Sequence, residues 1–277
     1  MSQTAKQVLQ WGVTRLVPIL GDAGRNDARI LLAYALDIER GLLGACMSDD
    51  VSPEQIATFQ DAIARRSRFQ PVSQIIGKRA FWGRDFEVTK AVLDPRPDTE
   101  TLIEAALKAG PFNTILDLGT GSGCILLTLL AEWQHARGQG VDCSVEALTV
   151  ANRNARRLGV DGRVKFLPSD WFSQVSGTFD LIIGNPPYIS AKDMETLAPD
   201  VRDWEPRLAL TPEGDGLDAY REIAAKAAAY LTPNGRIFLE IGWDQADAVL
   251  ALFAAAGFAN GRCIQDMSGK DRVVLFQ

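Results

Sequence analysis

The 277 residues are 47% hydrophobic and 23% charged, enough apolar material to bury a sizeable core in one or two domains. Lys plus Arg number 29 against 35 Asp plus Glu, and the net charge of -6 argues against a protein whose main partner is a nucleic-acid backbone. Four scattered cysteines (Cys46, Cys124, Cys143 and Cys263) form no Cys-x-x-Cys pair, and no uncharged apolar run is long enough to span a bilayer. The expectation is therefore a cytoplasmic protein with reduced thiols, without a disulfide framework, zinc site or membrane span.

Residues 1 to about 70 read as helices only. Met1 to Leu20 mixes charges and Gln into its apolar pattern and lacks a secretory core. Thr4 caps a first helix whose apolar face is Val8, Leu9, Trp11, Val13, Leu16 and Leu20, and Gly21 and Gly24 break it. A second helix runs from about Asp27 through Leu36. Ser52-Pro53-Glu54-Gln55 opens a third, with Ser52 as cap, Pro53 at the first helical position and Gln55 completing a capping box. The basic run Arg65-Arg66-Ser67-Arg68 suits a solvated helix C-terminus. A helical domain over 1–75 is thus expected in front of the rest, as a platform for a macromolecular substrate.

A connector over 76–97 follows. Ala80-Phe81-Trp82 and Phe86-Glu87-Val88 flank Gly83-Arg84-Asp85 as a hairpin. Asp94-Pro95-Arg96-Pro97-Asp98-Thr99-Glu100 is then rigid and extended up to about Asp98, a candidate N-cap for the next helix.

From about Thr114 strands and helices alternate, the signature of an open parallel α/β sheet in a domain over 98–277. Strands are expected at Thr114–Leu118, Gly138–Asp142, Val164–Leu167, Phe179–Gly184 and Gly235–Ile241, with a last strand at Arg272–Phe276. Helices are expected at Val145–Leu158, Leu217–Tyr230 and Asp244–Ala256. Two strands joined by a tight loop at the end of the chain predict an antiparallel edge pair.

Three strand ends carry candidate ligand groups. Asp117-Leu118-Gly119-Thr120-Gly121-Ser122-Gly123 joins the first strand to a helix starting near Cys124. Glycines let the backbone turn sharply and let a ligand approach closely. Cys124 stands where the dinucleotide fingerprint needs its third glycine, and the Lys-Ser/Thr pair of a phosphate loop is missing. These features point to a ligand with an adenosine but no pyrophosphate. Asp142 ends the second strand, about 20 residues on, where an acidic side chain commonly binds a ribose hydroxyl pair. After the third strand, Trp171 offers a ring to flank an adenine and Asp170 an acceptor for its amino group.

A fourth strand end carries the chemistry. Asp180-Leu181-Ile182-Ile183-Gly184 reads as a buried strand that Asn185-Pro186-Pro187-Tyr188 stops, because proline cannot donate to the ladder. Prolines keep their carbonyls and Asn185 adds a side-chain oxygen, so the corner is rich in acceptors. It suits a nitrogen that donates two hydrogen bonds, in a primary amide or an exocyclic amine. A plain Asn-Pro turn would read the same way, so the corner alone leaves both open. The single histidine, His135, lies near the end of the helix after the glycine loop and is expected to be structural or solvent-exposed. With no Ser/His/Asp set and no metal cluster in view, a reaction without a strong protein base is preferred.

The chain resembles the class I S-adenosylmethionine-dependent methyltransferases, and within them the release-factor glutamine methyltransferases. The motifs are Phe81-Trp82-Gly83, Pro95-Arg96-Pro97-Asp98-Thr99-Glu100, Asp117 to Cys124, Val141-Asp142-Cys143-Ser144, Asn185-Pro186-Pro187-Tyr188-Ile189, Trp204-Glu205-Pro206, Gly214-Asp215-Gly216-Leu217 and Glu240-Ile241-Gly242. Asp94 and Trp204 depart from the family's usual residues, and neither departure is expected to touch the pocket. The resemblance implies a Rossmann-like sheet with an antiparallel last strand, preceded by the helical bundle and hairpin. It implies that Gly119, Thr120, Gly121, Ser122, Gly123, Asp142, Trp171 and Asn185 contact S-adenosyl-L-methionine, with no metal. Asn185, Pro186, Pro187 and Tyr188 would hold the substrate glutamine, with Asn185, Pro186 and Tyr188 catalytic. The implied partner is a class I release factor; a monomer without specific DNA binding is expected, and Ile189 to Gly216 is a plausible lid. Rival readings are a ribosomal-protein glutamine methyltransferase, an adenine-N6 DNA methyltransferase and a non-catalytic adenosine-binding module.

Overall fold

A computed structural model describes residues 3–277, which divide into two compact units. The first comprises the described residues up to Gly77 together with Pro199–Trp204. Its elements are strand β1 (Gln3–Thr4), helices α1 (Ala5–Leu20) and α2 (Ala23–Ala35), strand β2 (Asp50–Val51), and helices α3 (Pro53–Arg66) and α4 (Val72–Ile76). Both expected caps form, and the cap at Thr4 proves to be a capping box like the one expected at Ser52. Thr4 and Ser52 accept from the backbones of Gln7 and Gln55, whose side chains accept in return from the cap N–H groups. Leu16, Leu31, Leu32, Phe59 and Ile63 meet in the core of this unit.

Four expectations for this region need correction. The unit is not purely helical, because β1 and β2 pair antiparallel over two residues each. Gly24 does not break a helix: it lies in the first turn of α2, where a Cβ would come within 2.7 Å of the Leu16 backbone, so it serves close helix packing. For the same reason α2 begins four residues before Asp27. Arg66 is not solvated: it is 7% exposed and its guanidinium pairs with Asp27 at 2.7 Å.

The second unit comprises Lys78–Ala198 and Glu205–Gln277. It opens with the hairpin β3 (Lys78–Phe81) and β4 (Arg84–Glu87). The pair Phe81↔Arg84 leaves a two-residue turn, Trp82-Gly83, one residue before the expected Gly83-Arg84-Asp85. Both turn residues have positive φ, 48° and 70°, which matches the strand twist that two-residue hairpins require. The remaining elements are α5 (Glu100–Ala109), β5 (Thr114–Leu118), α6 (Cys124–Glu132), β6 (Arg137–Asp142), α7 (Val145–Arg157), β7 (Val164–Pro168) and β8 (Phe179–Gly184). After the short α8 (Pro199–Arg202) of the first unit come α9 (Arg207–Leu210), α10 (Asp218–Lys226), β9 (Leu231–Glu240), α11 (Ala246–Ala255), β10 (Arg262–Gln265) and β11 (Asp271–Phe276). Asp98 does not cap α5; a 3-10 turn over Pro97–Thr99 precedes the helix, and Asp98 instead faces Arg272 at 3.3 Å.

Seven strands form one sheet in the order β10-β11-β9-β8-β5-β6-β7. The five from β9 to β7 are parallel, and β11 and β10 complete the expected antiparallel edge. Alternation along the strands sends Ile115, Leu181 and Ile183 to one face, under α5, α6 and α7. Leu116, Leu118 and Ile182 go to the other, under α10 and α11. From β5 the chain steps out to β6 and β7, then returns to lay β8 on the other side of β5. The carboxyl ends of β5 and β8 are therefore the topological switch point, where ligands bind in such sheets. The two strands approach tightly there: a Cβ on Gly184 would stand 2.5 Å from the Leu118 carbonyl oxygen.

Candidate functional site

A cavity of about 630 Å³ opens at this switch point. The glycine loop after β5 forms one wall, with Gly119 and Gly121 at φ of 69° and 53°, a conformation side chains with a Cβ rarely adopt. Asp142, at the end of β6, grips this loop. Its Oδ2 accepts from the Gly121 backbone N–H and its Oδ1 from that of Ser144, both at 2.9 Å. Asp142 thus orders the loop as well as facing the cavity. Thr120, Ser122, Asp170 and Trp171 also line the cavity, and Asn185 and Pro187 close it from β8. Gly123, Pro186 and Tyr188 stand beyond the lining: Gly123 precedes α6, and Pro186 is buried. His135 is exposed past the end of α6 and takes no part.

Asp94 lines the cavity, contrary to the expectation that its departure from the family pattern would stay clear of it. It is 7% exposed, and its backbone N–H donates to the Glu205 carboxylate at 3.1 Å. Five carboxylates (Asp94, Asp142, Asp170, Asp218 and Glu222) and one guanidinium, Arg96, line the cavity; Asp94, Asp218 and Glu222 are paired with Arg79, Arg221 and Lys226, and Arg96 with Glu205 at 3.1 Å, which leaves the acidic character of the wall to Asp142 and Asp170. Such a wall favours a cationic, donor-rich ligand and disfavours a polyphosphate.

Beside the cavity, Asn185 donates from Nδ2 to Thr99 Oγ1 at 3.4 Å, which points its carbonyl oxygen away from Thr99. The Tyr188 carbonyl accepts from Gln245 Nε2 at 3.0 Å, while Gln245 Oε1 accepts from the Gly242 N–H at the same distance. Gln245 therefore pins the Asn-Pro-Pro-Tyr corner to the chain leaving β9. Burial pushes the Tyr188 phenol up to about 12, so it stays protonated through the neutral range.

Three polar residues at the site escaped sequence reasoning as separate contributors. Asp117 is fully buried at the end of β5; burial pushes its carboxyl up to about 7, against the opposing hydrogen bond from Thr120 Oγ1 at 2.6 Å. Glu240 ends β9, and burial raises it to about 7 as well. Thr99 is buried, and its hydroxyl accepts from Asn185. The available signal was an ionisable residue inside an apolar strand run, in Ile115-Leu116-Asp117-Leu118 and in Phe238-Leu239-Glu240-Ile241, since a buried charge is costly unless it has work to do.

Known proteins match the chain closely. A family model described as the methyltransferase small domain matches residues 92–200, and one described as the PrmC N-terminal domain matches residues 7–77. A release factor glutamine methyltransferase of Cereibacter sphaeroides is 53% identical over 98% of this chain and 97% of the relative. Its counterpart from Caulobacter vibrioides is 47% identical over 92% of this chain and 91% of the relative. Among solved structures, the hMettl16 catalytic domain in complex with an MAT2A 3'UTR hairpin is similar with a TM-score of 0.61. It covers 78% of this chain and 82% of that one at 14% identity, a likeness of fold alone.

Proposed function

This chain belongs to the release factor glutamine methyltransferase family, and we propose that it transfers a methyl group from S-adenosyl-L-methionine to the side-chain nitrogen (N5) of a glutamine in class I peptide-chain release factors. The observation that carries the reading is the placement of Asn185 on the rim of an acidic cavity walled by a glycine loop. The residues present fit the cofactor: the open loop and the excess of carboxylates suit a ligand with a sulfonium, an ammonium and hydroxyl and amino donors. When bound, S-adenosyl-L-methionine supplies an electrophilic methyl on a positively charged sulfur.

In this reading Gly119 to Gly123 give the ligand backbone to lie against. Asp142 accepts from ribose hydroxyls, Asp170 accepts from the adenine amino group and Trp171 flanks the ring. Amide nitrogen is a poor nucleophile because its lone pair is delocalised into the carbonyl. Asn185 Oδ1 and the Pro186 carbonyl accept its two N–H groups, which orients the nitrogen and favours a pyramidal, more nucleophilic geometry. Tyr188 packs on the planar amide. Catalysis is then alignment plus hydrogen bonding to a nitrogen that becomes positive in transit. That nitrogen grows acidic as it gains the methyl, so its proton leaves without a strong base. This agrees with a Tyr188 phenol held protonated.

The test is incubation with labelled S-adenosyl-L-methionine and a class I release factor, followed by peptide mapping. Label on one glutamine of the release factor is expected. Label found only on a ribosomal protein or only on DNA adenine would overturn the assignment.

A further inference from the structure

Val145, Leu208, Trp243 and Met267 are the large apolar side chains that the second unit leaves exposed. One exposed apolar residue needs no explanation, but the placement of these four does. All stand at the carboxyl end of the parallel strands, the end that holds the cavity. Val145 opens α7 just after β6, Leu208 lines the cavity from α9, and Trp243 follows the last residue of β9 closely. Met267 lies in the turn before β11. That strand runs antiparallel to β9 with Val273 opposite Glu240, so the turn stands beyond the carboxyl end of β9.

Trp243 and Met267 share one flank of the reactive corner. β8 leads into Asn185; β9 and then β11 lie on one side of it, while β5 and β6, which carry the glycine loop and Asp142, lie on the other. Both side chains are shown by braced turns. The Gln245 N–H donates to the Gly242 carbonyl at 3.0 Å and closes a turn that has Trp243 at its corner. The side chain of the same glutamine bonds the Gly242 N–H and the Tyr188 carbonyl, so this turn is fixed against the Asn-Pro-Pro-Tyr segment. In the other turn, Asp266 Oδ1 accepts from the Ser268 and Lys270 N–H groups at 2.8 and 3.1 Å, and Oδ2 pairs with Arg272 at 3.3 Å. The Ile241 N–H donates to the Arg272 carbonyl at 2.9 Å and joins the stems of the two turns.

Trp243 is 61% exposed and Met267 fully so. Indole and thioether side chains are enriched at protein interfaces, and rigid turns lose little entropy when a partner covers them. Arg272 is paired with Asp98 as well as Asp266, and Asp244 adds a negative charge beside Trp243. The corner therefore suits an apolar protein surface and not a phosphate backbone. We propose that Trp243 and Met267 form a docking surface for the class I release factor, covered by the part of that protein that flanks the methylated glutamine. The inference rests on the substrate proposed above and adds where that substrate is held. A folded protein that delivers a glutamine to Asn185 must come to this end of the sheet, and its neighbouring surface then meets the two turns.

The experiment measures, by calorimetry, binding of a class I release factor to the chain loaded with S-adenosyl-L-homocysteine, together with steady-state methylation of the same release factor. Trp243→Ala should weaken binding and raise KM about tenfold or more, with kcat at saturation and the cofactor dissociation constant each within about threefold. Met267→Asp sets a charge against the covering surface and should raise KM about fivefold or more. Val145→Ser, at the same end of the sheet but on the cofactor side of β8, should leave KM within about twofold. Binding by Trp243→Ala within twofold of the parent overturns the inference. A fall in kcat at unchanged KM does so too, since the indole would then support the geometry of the corner and not the partner. A Val145→Ser effect as large as that of Trp243→Ala overturns the assignment to this flank. Should Trp243→Ala fail to fold, Met267→Asp decides alone, and an unchanged KM there overturns the proposal. A parent chain that methylates no release factor overturns the substrate reading and the docking role together; a parent that methylates it while both variants bind normally overturns the docking role alone.

Discussion

Asp117→Asn tests whether the floor of the site is built on a carboxyl that is buried at a cost. Asp117 is fully buried, and burial raises it from 3.8 to about 7, with the neighbouring Asp142 adding to the rise and Thr120 opposing it. A carboxyl whose pKa is higher in the folded state binds more protons folded than unfolded. Its contribution to stability is therefore full below about pH 4 and is lost as pH rises through 7. A shift of about three units, at about 1.4 kcal/mol per unit, gives a loss of about 4 kcal/mol over the whole window. Between pH 4.5 and 8 the share is about 3 kcal/mol, because some of the unfolded-state titration already lies below pH 4.5. Asn keeps an oxygen for the Thr120 hydroxyl but cannot ionise. The variant should thus gain about 3 kcal/mol relative to the parent on going from pH 4.5 to pH 8, while other titrating groups largely cancel in the comparison. Urea unfolding followed by circular dichroism at pH 4.5, 6 and 8 measures this. A parent-to-variant difference that stays constant across the three pH values would refute the reasoning.

Asn185→Ala should lower turnover about a hundredfold or more in a protein whose unfolding curve is unchanged, since the prolines hold the loop; single-turnover rates check it. Asp142→Ala should weaken S-adenosyl-L-methionine by roughly 1.5–3 kcal/mol in calorimetry, the range for a hydrogen bond to a charged group, and an unchanged affinity would remove its role. Gly184→Ala should destabilise the second unit by about 1–3 kcal/mol, because its Cβ would press on the Leu118 carbonyl where β5 and β8 are closest; denaturant midpoints report it. A release factor carrying Glu in place of the target Gln should be methylated on the order of 10⁴-fold less well or worse, because a carboxylate meets only acceptors at Asn185 and Pro186. Mass spectrometry of that site would expose the error.

The sheet was legible where a strand is buried on both faces. Thr114–Leu118 and Phe179–Gly184 have the bounds expected from their runs of branched residues, and the antiparallel edge follows from the closing hairpin. Local chemistry was legible too, as in the two helix caps, Thr4 and Ser52. What sequence could not give is partnership across space. Arg66 reads as a solvated helix end until Asp27, 39 residues away, pairs with it. Gly24 reads as a helix breaker because sequence cannot show that the Leu16 backbone lies against it. Asp98 reads as a cap because Arg272, its actual neighbour, arrives 174 residues later on β11. Periodicity and capping act over a few residues, whereas these contacts are fixed only after the sheet has assembled.

The segment Pro95-Arg96-Pro97-Asp98-Thr99-Glu100 shows why long-range partnership matters most at the site. Its four non-proline residues each reach a different part of the second unit. Arg96 pairs with Glu205, Asp98 faces Arg272 on β11, Thr99 accepts from Asn185 after β8, and Glu100 Oε1 accepts from the Trp82 N–H of the hairpin turn at 2.9 Å. A flexible segment would lose conformational entropy in making four divergent contacts, and the two prolines reduce that loss by limiting the backbone beforehand. The same stiffness has a consequence for catalysis. A shift of the segment at Arg96 or Glu100 is transmitted to Thr99, and through it to the Asn185 amide, which in the proposed function meets the substrate nitrogen. Misplacement of about an ångström at a reacting centre can cost a hundredfold in rate. The constraint on this stretch is therefore geometric: its charges and prolines hold one hydroxyl in place behind Asn185.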